Sequence, residues 1–168
     1  ESQDGGVVKS LHIDGPQGIG LYKPIIAAVN GYCLAGGLGF AIHCDILIAA
    51  EHAKFGFLMV KRGLTPGAHC ALLIHLVPLS YAMQLALTGD AIDAQEAYRI
   101  GLVNKVVPLT QLMPTAEAMA RSIIQNGPSV AQATKRTILR CLNTSLDQGM
   151  FLSTLIYKEQ EAASGKDR

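Results

Sequence analysis

Residues 25–50 set the tightest limit on what this chain can fold into. An apolar stretch of that length could cross a bilayer as one helix. Asn30, His43, Asp45 and four glycines interrupt it, which rules out a membrane helix and cuts the stretch into pieces. Lys23 to Asn30 is a compact, β-branched run fenced by Pro24 and by Asn30-Gly31, the pattern of a buried strand. Gly31 to Gly37 reads as a turn opening a helix that runs to about Cys44. Ile46 to Ala50 repeats the buried-strand pattern, and Ala53 to Phe57 is a short third candidate. Strand, helix and strand in such close succession predict α/β architecture, with a parallel sheet buried on both faces.

The rest of the chain divides around this unit. Residues 1–22, polar and rich in Gly, hold no sustained period and read as loop or linker, with the α/β part spanning 23–108 and a helical region 109–168. Thr65-Pro66-Gly67 announces an apolar helix to about Val77. Asp93-Ala94-Gln95-Glu96 resembles a capping box, with Asp93 as N-cap, and Gly101 closes the helix that follows. Leu102 to Val107 reads as a strand stopped by Pro108. Beyond it Leu112, Ala116, Met119 and Ile123 recur at helical spacing, as do Val130, Thr134, Ile138 and Cys141, and more weakly Leu146, Met150, Ser153 and Tyr157. Asn126-Gly127-Pro128 divides the first two helices. Charged residues are only 16% of the chain and do not flank these stripes, so the tail is expected to pack on a neighbouring subunit.

Composition excludes several functions. The net charge of +1 and the absence of Trp give no case for nucleic acid or acidic membranes. Four cysteines without a CxxC pair, and five scattered histidines, point to buried free thiols and no metal centre. The chain opens Glu-Ser-Gln-Asp-Gly-Gly, without a basic leader or an apolar signal core. A cytoplasmic location or an organelle matrix is expected, as part of a longer polypeptide.

The turn at Gly36-Gly37 is the candidate place for chemistry. Backbone N–H groups at a helix start, unshielded by side chains, can donate to a developing oxyanion. The competing reading is a tight helix–sheet crossing with no space for a Cβ. A dinucleotide fingerprint does not fit, because Gly36-Gly37-Leu38-Gly39 lacks its spacing.

Lys23-Pro24-Ile25-Ile26-Ala27-Ala28-Val29-Asn30-Gly31-Tyr32, the glycine turn, Cys44-Asp45, Phe55-Gly56 and Thr65-Pro66-Gly67-Ala68 together resemble the crotonase superfamily, the enoyl-CoA hydratase/isomerase group. The likeness continues through Leu87-Thr88-Gly89-Asp90, Ala94-Gln95-Glu96-Ala97 and Gly101 to Val107. It implies a crotonase-like ββα spiral core with a C-terminal helical oligomerisation region, assembled as a homotrimer or a dimer of trimers. It also implies an acyl-CoA thioester as substrate, with coenzyme A entering as part of that substrate and no separate cofactor. Members of the family polarise the thioester carbonyl with two backbone N–H groups; one maps onto Gly36, and the other belongs to an earlier segment with no counterpart here. Substrate contacts are implied at Gly36, Gly37, Met59 and Gly67.

The pattern also departs from the family. Its hydratases share proton transfer between two glutamates. Those positions fall on Gly39 and Met59, neither of which can move a proton, so two-glutamate hydration is not expected. His69, at the start of a helix where the family commonly has Gly, is the substitute acid/base; capping or surface packing is its alternative role. His43 reads as a hydrogen-bonded core residue and Asp45 as structural. Lys61 and Arg62, like Lys135, Arg136 and Arg140 along one helix, are expected on solvated faces, with CoA phosphates as other partners and RNA far behind. The function expected is acyl-CoA chemistry through a thioester enolate. A non-catalytic acyl-CoA-binding or assembly subunit of the same fold is the alternative.

Overall fold

Ile26–Val29 and Ile46–Ala50 lie side by side as parallel strands β1 and β3, with Ile26 opposite Ile46 and Val29 opposite Ala49. The computed structural model describes residues 21–164, so the linker reading of residues 1–22 lies almost wholly outside the described residues. Asn30 and Gly31 carry the chain from β1 into β2 (Tyr32–Leu34), and Glu51 to Ala53 carry it from β3 into β4 (Lys54–Gly56). β2 and β4 also pair in parallel, in a second sheet. Each ββ step thus stacks on the previous one, with helix α1 (Gly36–Ala41) between them. Two turns of a ββα spiral result. β6 (Lys105–Val107) completes the first sheet in the order β1-β3-β6, and β5 (Ile92–Asp93) adds to the second antiparallel to β4.

The period of two along β3 explains why this strand is apolar throughout. Leu47 and Ala49 enter the main core with Leu38, Ile42, Phe55, Phe57 and Leu73, whereas Ile48 and Ala50 face a second cluster with Leu112 and Ala116. The latter two sit on helix α5 (Leu109–Gln125), which closes the far face of the sheet. Between β4 and β6 lie a short 3-10 helix (Leu58–Arg62) and helices α2 (His69–Leu76), α3 (Leu79–Thr88) and α4 (Ala94–Arg99). Asp93 caps α4 by accepting the Glu96 N–H at 2.8 Å. The Glu96 carboxylate turns instead to Arg99, so only one half of the capping box forms.

Several boundaries differ from the sequence expectation. α1 stops at Ala41, and Ile42 to Cys44 form a turn. β2 occupies what reads as a simple turn. β6 starts only at Lys105, because Leu102 and Val103 bury in the core and Asn104 pairs with Leu47, its N–H on the Leu47 carbonyl at 2.8 Å and its Oδ1 on the Leu47 N–H at 2.7 Å. α3 has no counterpart in the sequence reading: Ala82 and Leu85 face inward while Leu79, Met83 and Leu87 face outward, so no amphipathic stripe marks it.

In the tail, the first apolar stripe lands as expected, with Leu112 and Ala116 buried. Helices α6 (Pro128–Cys141) and α7 (Leu146–Ser164) form a hairpin joined by the Arg136–Glu159 ion pair. Their stripes stay uncovered within the chain: Val130, Ile138, Leu146, Met150 and Tyr157 are all exposed, and the inward residues are Lys135 and Ile156. Lys135 therefore does not line a solvated face. Its ammonium lies buried, 2.8 Å from Asp45 Oδ2 and 3.0 Å from the Lys23 carbonyl. No helix among the described residues is long and apolar enough to cross a membrane.

Candidate active site

The site grows out of the junction between β2 and α1. Leu34 pairs with Gly56 across the second sheet, and the next residue, Ala35, donates its N–H to the Gly56 carbonyl at 2.8 Å. That bond holds Ala35 at φ 51 and ψ −119, the one positive φ of a non-glycine among the described residues. A side chain in that region costs on the order of 1–3 kcal/mol, which the surrounding sheet must offset. The Ala35 carbonyl then accepts the Gly39 N–H at 3.0 Å, closing the first turn of α1. The N–H groups of Gly36 and Gly37 precede that bond and belong to the helix start, where no earlier turn supplies an acceptor.

Both glycines are exposed, and a Cβ on either would meet nothing within 4 Å. Packing inside this chain therefore does not demand glycine at 36 or 37, which removes the tight-crossing explanation for them. Gly39 is the opposite case. It is buried, and a Cβ there would fall less than 3.0 Å from Nε2, Cε1 and Cδ2 of His69.

His69 opens α2 and is only 8% exposed, so it does not pack on the surface. Phe57, just before the 3-10 helix, stacks on its ring with centroids 6.1 Å apart and planes 7° from parallel. His43, in the turn after α1, meets it edge-on at 5.8 Å and 80°. The His43 Nδ1 lies 2.7 Å from the Gly39 carbonyl, and because a carbonyl only accepts, that nitrogen carries the proton. Three separate segments thus bring His43, Phe57 and His69 together around Gly39. Gly39 and His69 each stand out in the sequence, thirty residues apart, and only the fold brings them into contact.

The other expected positions are more scattered. Met59 is half-buried in the 3-10 helix and packs against the main core. Gly67 is exposed at φ 61 in the turn ahead of α2, donating its N–H to Thr65 Oγ1 at 3.2 Å. Lys61 is engaged by Asp90 at 2.6 Å, leaving Arg62 exposed beside it. Asp45 has the structural role expected of it: Oδ2 accepts the Ile25 N–H at 2.7 Å besides the Lys135 ammonium.

All four cysteines are free thiols; Cys33 is buried and the other three half-buried. Burial pushes the Cys33 thiol up to about 11, with Cys44 adding to the shift, and burial followed by Asp45 raises Cys44. Neither supplies a thiolate near neutral pH. Among the described residues no three His, Cys, Asp or Glu side chains gather in a way that could hold a metal ion.

Residues 19–165 match the family model described as Enoyl-CoA hydratase/isomerase. The chain is 42% identical over 140 residues to the short-chain-enoyl-CoA hydratase of Clostridium acetobutylicum, covering 83% of this chain and 54% of that protein. It is 43% identical over 129 residues to the crotonyl-CoA hydratase of Syntrophomonas wolfei, covering 76% and 50%. An enoyl-CoA hydratase crystal structure from Bacillus anthracis superposes with a TM-score of 0.80 at 36% identity, covering 82% of this chain and 54% of that one. The chain spans about half the length of the curated relatives it matches.

Proposed function

Because the chain belongs to the enoyl-CoA hydratase/isomerase family, we propose that it acts on an acyl-CoA thioester by stabilising an enolate at the start of α1. The observation that carries this reading is the open glycine pair. Gly36 and Gly37 stand exposed with free space where their Cβ atoms would be, on a turn fixed by Ala35 and Gly56. Gly36 supplies one N–H to the thioester oxygen, and Gly37 leaves the approach clear. Preorganised donors of this kind stabilise charge as it develops, without reorganising at the moment of reaction. His69 is the proton-transfer group, since Gly39 and Met59 offer none. Gly67 and Met59 border the substrate, coenzyme A is bound as part of it, and a homotrimer or dimer of trimers is the working assembly.

The missing carboxylates also favour a second reading, an acyl-CoA-binding or assembly subunit without turnover. Calorimetry with acetoacetyl-CoA, followed by turnover assays on enoyl-, malonyl- and 3-oxoacyl-CoA esters, separates the two. Binding with turnover of at least one ester is expected. Binding without turnover supports the second reading, and absence of binding defeats both. Met59→Glu sharpens the reaction type by returning a carboxylate to the 3-10 helix. Crotonyl-CoA hydration is expected to rise in that variant, whereas brisk hydration by the unmodified chain would show that Gly39 and Met59 are not disabling.

A further inference from the structure

We propose that Gly39 and His43 are positioning residues for His69, an inference that rests on reading His69 as the group that moves the proton. Gly39 acts by what it lacks. The imidazole edge bearing Nε2, Cε1 and Cδ2 occupies the space that a side chain at position 39 would need. Residues three apart lie on one helix face, so this edge rests against the same side of α1 as Gly36. The rise between them is roughly 4.5 Å, less than one helical turn. A proton held on that ring therefore lies within about one helical turn of the donor proposed for the thioester oxygen.

His43 acts through its hydrogen bond. Its Nδ1 proton is committed to the Gly39 carbonyl at 2.7 Å, which locks the ring in the orientation that sets it edge-on to His69. Phe57 closes the opposite approach with a near-parallel ring. His43 thus spends its proton on the Gly39 carbonyl and holds its ring edge-on against His69. A buried glycine within a helix costs stability relative to alanine, and a buried imidazole costs solvation. Both costs fall at one contact, one helical turn from Ala35, the one non-glycine at positive φ among the described residues, as is usual where a local rule yields to function.

A double-mutant cycle read by thermal unfolding tests the seat without any substrate. In the His69→Ala background, Gly39→Ala should raise Tm by about 2 °C, the ordinary helix gain of alanine over glycine. In the unmodified chain the same change should lower Tm, with a loss of kcat of roughly 10²-fold from displacing the ring. The same Tm change in both backgrounds would overturn the seating. For His43, the conservative variant His43→Asn keeps an N–H for the Gly39 carbonyl, and His43→Leu does not. Both should lower kcat at unchanged KM, with the Asn variant retaining the greater part. Equal kcat in both variants and the unmodified chain would overturn the role of His43. Full kcat in His69→Gln, with the unfolding cycle still coupled, would instead remove the acid/base reading on which the inference rests.

Discussion

Gly36 occupies the first helical position of α1, directly after the strained Ala35. Proline is tolerated at such a position and has no N–H to give, so Gly36→Pro removes the proposed donor while keeping a residue that suits a helix start. Loss of one oxyanion hydrogen bond costs about 10²–10³ in kcat. That loss is expected here with acyl-CoA binding largely retained. Proline also pushes its predecessor toward extended backbone, which conflicts with φ 51 at Ala35, so circular dichroism must accompany the kinetics. Unchanged kcat in a folded variant would remove Gly36 from the mechanism. At this scale the sequence was informative in an uneven way. Gly36, Gly37, Gly39 and His69 could be picked out because their residue types are unusual for their places. That Gly39 is empty in order to seat His69 depends on a contact between segments thirty residues apart in the chain, which no local pattern encodes. Phe57 and His43 are hidden for the same reason, since each reads as ordinary core until the fold sets both rings against His69.

Among the elements, those defined by a period or by a fence of Gly, Pro and Asn were legible. β1 and β3 follow from their β-branched runs, and α5 and α6 from apolar spacing split at Asn126-Gly127-Pro128. α3 was not legible, because apolar residues cover its exposed face as well as its buried one. Lys135 misled in the opposite sense: a basic residue on a basic helix face proves to be what the helix buries. Its ammonium bridges Asp45 and the Lys23 carbonyl and so ties α6 to the start of β1. Asp45 keeps 21% of its side-chain surface, against 7% for Lys135, so the pair is shielded from solvent on the lysine side. Removing the carboxylate strands the buried ammonium, at a cost of roughly 3 kcal/mol or more. Asp45→Ala is expected to destabilise the fold by about that amount, measured by urea unfolding. A loss under about 0.5 kcal/mol would mean that water already screens the pair, as it does for surface ion pairs.

At the level of the whole molecule, the α6–α7 hairpin leaves a row of large apolar side chains to water. Ile138 is 61% exposed, Leu146 79%, Met150 62% and Phe151 64%, on helices whose inward faces are already satisfied by Lys135 and Ile156. Exposed patches beyond a few hundred Å² mark surfaces that bind something. The tail's charges, seven basic and five acidic over residues 109–168, are of mixed sign and leave little net repulsion to oppose association, and a second copy of this chain is the partner that is always present at matching concentration. Light scattering after size exclusion is therefore expected to give a trimer or a hexamer. Phe151→Glu places a carboxylate in the middle of this surface without touching the core, so it should lower the assembly state while leaving the far-UV circular dichroism of the helices in place. A monomeric unmodified chain would refute the docking role of the hairpin. Assembly that survives both Phe151→Glu and Leu146→Glu would move the interface elsewhere, to another uncovered apolar face such as the exposed Leu79, Met83 and Leu87 of α3.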